Sequence, residues 1–193
     1  MAIQLPQLNR TTAATLLTAG AFATIAFDTF GATISPLLKD VAAPWLGAKL
    51  APVPLANQSL AVLLDMPART VNAMGLGYGV HVLTGLVAYP LGYALAAKPL
   101  ARALGGRLGL DHWAITGAAY GIVLWVFALY VMAHLVAGNP PFLGFTGITW
   151  VALWGHMLFA LIVARMAEPL FADRQSALDE PTARSIQPAF RVA

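Results

Sequence analysis

Asp28, His81, His134 and His156 are the residues of this chain whose types and placement could do chemistry, because each stands in a long apolar run. Imidazole nitrogen is a good ligand for zinc, copper and iron, and a carboxylate would complete a set of two or three histidines plus Asp28. Two histidines on facing helices could instead hold the iron of a b-type heme, with neighbouring glycines making room for the ring. Asp and His side chains also carry protons in pumps, and elsewhere they only tie helices together through hydrogen bonds. No short-spaced pair such as HxxxH occurs, so spacing alone leaves these readings open.

Other chemistries find less support. Cysteine is absent, which excludes disulfides, thiolate metal sites and thiol catalysis. No nucleophile–base pair stands at a fixed spacing, so an enzymatic role would need a redox metal or an activated water in the Asp/His cluster. The glycine-rich segments GLGYG (75–79) and LGGRLG (104–109) follow no strand and do not read as nucleotide loops. The net charge of +3 and pI near 9.5 do not point to nucleic acid, because the basic residues flank apolar runs and act as topology signals.

The elements that must position the four residues are membrane helices. Of 193 residues, 59% are hydrophobic and only 10% are charged, with a mean hydropathy of +0.73; soluble domains carry about 25% charged residues. The sequence predicts an all-α, four-transmembrane-helix bundle over residues 1–168, with spans at about 11–38, 76–97, 113–137 and 147–164. The first run exceeds the ~7–15 apolar residues of a cleavable signal, so it is expected to be retained. Pro90 predicts a kink in the second span. The proline-punctuated connection between spans one and two carries Asn57–Met66, a candidate short interfacial helix too short to cross ~30 Å of hydrocarbon. Residues 169–193 read as a polar, disordered cytoplasmic tail.

With four spans, both termini and the connection at 98–111 share one side. That side holds Arg10, Lys98, Arg102, Arg107, Arg165, Arg174, Arg184 and Arg191, against Lys39, Lys49 and Arg69 on the other, so the positive-inside rule gives N-in, C-in. In a bacterial cytoplasmic (inner) membrane the connection before span two and the loop at 138–146 then face the periplasm. At ~1.5 Å per residue, Asp28, His81 and His134 are expected ~5–8 Å below that surface, with His156 about one turn deeper. Asp28 is the only charged residue expected inside a span, where insertion costs ~2.5–3.5 kcal/mol. Thr24, Gly31 and Ser35 share its face, a small, polar stripe suited to the bundle interior rather than to lipid. Gly77, Thr84 and Gly85 line up with His81, Gly117, Gly121 and Ala128 with His134, and Ala152 and Ala160 with His156. Thr24, Thr84 and Tyr130 are expected as supporting polar residues.

The segments TAGAFATIAFDTF (18–30), GYGVHVLTG (77–85), Tyr120-Gly121 and Gly155-His156 resemble a family of small bacterial four-helix integral membrane proteins of uncharacterised role. The resemblance covers about residues 15–165 and implies the fold and no activity. A non-enzymatic membrane subunit or accessory protein is therefore expected, for example of a respiratory or photosynthetic complex, with an Asp28/His81/His134/His156 cluster near the periplasmic side for heme b or a transition metal. The alternative is a small oligomeric transporter or channel for an ion or metal. The expected partners are the lipid bilayer and either a larger membrane complex or further copies of the chain.

Overall fold

The computed structural model describes residues 5–7, 9–38, 47–105 and 109–171. Every element among them is helical, and four helices are long and apolar enough to cross a membrane: α1 (Arg10–Leu37), α4 (Leu76–Gly105), α5 (Trp113–Val136) and α6 (Gly147–Ala167). Two shorter helices, α2 (Pro52–Leu63) and α3 (Ala68–Ala73), lie between α1 and α4. The fold class is thus the expected one. Lys39, Arg107 and most of the expected tail fall outside the described residues.

Two boundaries differ from the sequence reading, and for α4 the reason is plain. Lys98 and Arg165 look like span ends, yet α4 runs on to Gly105 and α6 to Ala167. Lys98 is 1% exposed, and its Nζ donates to the Asp111 carbonyl and to Glu168 Oε2 at 3.0 Å. Arg102 donates to the Phe171 carbonyl and lies over the Phe171 ring, which is itself buried. A paired charge does not end a helix, and residues 169–171 are docked here rather than belonging to a loose tail.

Small residues set the helix spacing, as membrane bundles require where lipid offers no hydrophobic drive for association. Gly20 of α1 faces the backbone of Gly85 and Leu86 in α4. Gly117 and Gly121 of α5 face Ala160, Leu161, Ala164 and Met157 of α6. Gly155 of α6 admits the Phe27 ring of α1. α6 is central, with half of its most apolar window buried against a third or less for the other spans.

α4 passes through Pro90 as one helix, with π-wound turns over Thr84–Ala88 and Tyr93–Ala97 on either side. Proline cannot donate to the carbonyl four residues back. That carbonyl, on Leu86, is turned toward Gly20, where a Cα–H can approach it. The upper part of α5, Phe127–Val136, is also π-wound, as is Phe30–Ile34 in α1. Such turns add a residue to the coil and rotate everything beyond them.

α2 begins earlier than the expected Asn57–Met66 helix and is built into the bundle. Asn57 accepts from the Gly77 amide and donates to Asn72 Oδ1, both at 3.0 Å. Ser59 Oγ lies 3.1 Å from the Met132 carbonyl, and Leu50 donates its amide to the Gly31 carbonyl at 3.0 Å. Helix α2 therefore lies across α4 and the end of α5 as a cap.

Candidate functional site

The four expected site residues divide. Asp28 and His81 meet across α1 and α4, with His81 Nε2 3.0 and 3.2 Å from the two carboxylate oxygens. The sequence placed Asp28 in the bundle interior. Its side chain is instead 45% exposed, at the rim, while its neighbours Thr24, Gly31 and Ser35 are buried. As a carboxylate Asp28 only accepts, so His81 donates from Nε2 and a neutral ring carries its lone pair on Nδ1.

His156 stands deeper, 7% exposed, with Nδ1 2.7 Å from the Ala152 carbonyl one turn earlier. A carbonyl only accepts, so Nδ1 bears the hydrogen and Nε2 of the neutral ring is an acceptor. Phe27 joins the two imidazoles. Its ring centroid is 6.2 Å from that of His81 and 5.0 Å from that of His156, the latter edge-on.

Both imidazoles line a cavity of about 310 Å³ bounded by the four spans and capped by α2. Its walls are mainly apolar, with Phe27, Phe127, Met132 and Phe159 among them. Of the other polar side chains on the lining, Thr24, Ser59, Thr84 and Tyr89, the first two are committed elsewhere. Thr24 Oγ donates to the Gly20 carbonyl at 2.8 Å, and Ser59 Oγ is engaged by the Leu55 and Met132 carbonyls. Thr84 also lines the cavity, and its hydroxyl has no hydrogen bond within the described residues.

His134 does not join this group. Its Nδ1 bonds the Asn139 carbonyl at 2.7 Å, and its ring lies beside Tyr130 at 5.3 Å. Asn139 in turn donates to Gln58 Oε1 and the Ala133 carbonyl, each at 3.0 Å. His134 and Tyr130 thus fasten the end of α5 to its loop and to α2, away from the Asp28–His81 pair. Winding explains it. The face drawn through Gly117, Gly121 and Ala128 assumes 3.6 residues per turn, and from Phe127 onward α5 is π-wound.

The expected ligand set is therefore incomplete. Among the described residues no three His, Asp or Glu side chains converge where they could hold an ion, whereas a closed zinc site uses four ligands. Metal-binding histidines are often oriented by a carboxylate or carbonyl, as His81 and His156 are, but here no third donor accompanies them. For a heme, the lining offers no Lys or Arg to meet the propionates. The donor set does not complete a metal-ion site among the described residues, and the propionates of a heme would lie against mainly apolar walls.

Sequence reasoning did not single out Phe27, Met132, Ser59 or Leu50, which wall the cavity. The only signal was the proline-flanked run that became α2. No family model, no curated protein and no solved structure matches the chain.

Proposed function

We propose that this chain is a non-enzymatic membrane accessory protein that binds a small lipid-soluble ligand in the cavity beneath α2. In this reading both termini are cytoplasmic, in a bacterial inner membrane, and the cavity opens in the periplasmic half. The observation that carries the proposal is the cavity itself, about 310 Å³ with two imidazoles on its lining. Apolar hollows with a few convergent polar groups are the usual form of small-molecule sites. The opposite half of the bundle supports binding over passage, since Tyr93, Val163 and Ala164 are fully buried there.

The test is native mass spectrometry of the protein released from lipid nanodiscs, compared with Ala128→Phe. Ala128 lines the cavity, and a phenyl group there would fill it. The wild type is expected to carry one small molecule per chain and the variant none. A wild type that carries nothing, beside a variant that unfolds at a higher temperature, would identify an idle void and refute the proposal.

A further inference from the structure

We infer that the ligand is a lipid-soluble aromatic with ring hydroxyl groups, a phenol or hydroquinone, which donates O–H to His156 and His81. The inference rests on the binding function proposed above and adds the chemical class. It follows from which ring nitrogens are already used. The Ala152 carbonyl takes the Nδ1 hydrogen of His156, and the Asp28 carboxylate takes the Nε2 hydrogen of His81. Of the nitrogens left for the cavity, His156 Nε2 is a lone-pair group in the neutral ring, and so is His81 Nδ1 when Asp28 takes only a hydrogen bond and the ring stays neutral. At these two nitrogens a ligand that only accepts, such as a quinone or ketone, would set acceptor against acceptor, and only the Thr84 and Tyr89 hydroxyls of the lining would be left to meet it. One that donates satisfies both nitrogens.

The remaining walls give the rest of the class. Thr24 and Ser59 are already bonded to carbonyls, while the Thr84 hydroxyl is not and can accept from a ligand O–H as well as donate. Phe27, Phe127 and Phe159 offer aromatic surface, suited to edge or offset contact with a flat ring. No Lys or Arg lines the cavity, so a carboxylate or phosphate group would find no counter-charge inside. The ligand is therefore uncharged, flat and hydroxylated, and it arrives from the bilayer.

The test uses the full chain in nanodiscs of phosphatidylcholine and phosphatidylglycerol, kept anaerobic and followed by tryptophan fluorescence quenching. The probes are tetramethylhydroquinone and its dimethyl ether, which keeps the ring and lacks both O–H groups. The hydroquinone should bind about tenfold more tightly than the ether, the scale of one or two net hydrogen bonds. That preference should vanish in His156→Leu and shrink in His81→Phe, with thermal unfolding used to show that at least one variant folds. Equal binding of the two probes would overturn the hydroxyl assignment and leave the binding function standing. Failure of both probes to bind would overturn the assignment to an aromatic ligand, while the binding function is decided separately by the native mass spectrum. Stoichiometric zinc binding that displaces the hydroquinone and needs both histidines would reassign the nitrogens to a metal and also overturn it.

Discussion

Gly20→Ala tests whether close backbone contact between α1 and α4 holds the site in place. A Cβ at position 20 would lie 2.6 Å from the Leu86 oxygen, 2.7 Å from the Gly85 oxygen and 2.8 Å from the Leu86 Cα. All three are backbone atoms, so no side-chain rotation relieves the clash and the helices must separate. Overpacking of this kind costs about 1–3 kcal/mol. For a chain of this length each kcal/mol lowers Tm by roughly 2–4 °C, so a loss of several degrees is expected in a detergent thermal melt. Gly79→Ala is the control, because nothing lies within 4 Å of a Cβ there and alanine favours the helix by about 0.5–1 kcal/mol. The separation should also be felt at Asp28, eight residues along α1 from Gly20, as weaker pairing with His81. An NMR signal from the His81 side-chain N–H, assigned with His81→Gln, would report it. A Gly20→Ala protein that melts with the wild type, or a Gly79→Ala protein that loses as much, would refute the reasoning.

At the other end of the bundle, Glu168→Ala should destabilise more than Lys98→Met. The first leaves a buried ammonium with only the Asp111 carbonyl, whereas the second frees a carboxylate that is 31% exposed. Breaking a buried pair costs about 3–5 kcal/mol, and urea melts of the two variants should rank in that order. Ser59→Ala removes the α2 link to the Met132 carbonyl, worth about 1 kcal/mol; hydrogen exchange should rise across 52–63 and stay unchanged in α6. Since the chain has no cysteine, single-cysteine variants report orientation cleanly. An impermeant maleimide on intact cells should label Gly138→Cys and spare Gly109→Cys, and the reverse pattern would invert the N-in assignment.

The spans were legible because hydropathy depends on composition, which tertiary contacts cannot alter. Arg10–Leu37 and Trp113–Val136 match the expected runs within a residue. The end of α4 was not legible, because whether Lys98 stops a helix depends on Glu168, 70 positions away in sequence. The cap was half legible. A short helix was expected in this connection, but from Asn57 rather than from Pro52, where α2 begins, and its burial depends on Asn57 and Ser59 meeting Gly77 and Met132, partners that no local pattern names.

The site shows how far a helical face can be projected along a sequence. In α4, His81 precedes the π turn at Thr84–Ala88, so its alignment with Gly77 at ordinary spacing holds, and the residue does turn toward α1. α6 is α-helical throughout Gly147–Ala167, and there His156 and Ala160 are buried while Ala152 lines the cavity with His156. In α5 the projection crosses into the π-wound segment before it reaches His134. The lower glycines pack against α6 as drawn, yet the histidine leaves their face and bonds Asn139. An extra residue per turn is not written in hydropathy, since Phe127–Val136 is as apolar as an ordinary helix of a span. The same winding accompanies the void. Three of the four spans carry π turns, two of them with cavity-lining residues at Thr84, Gly85, Phe127, Ala128, Leu129 and Met132. Such turns recur at functional sites because they displace backbone and side chains from close packing. In this bundle, the departure from regular helix that hid the site from the sequence also helps to shape it.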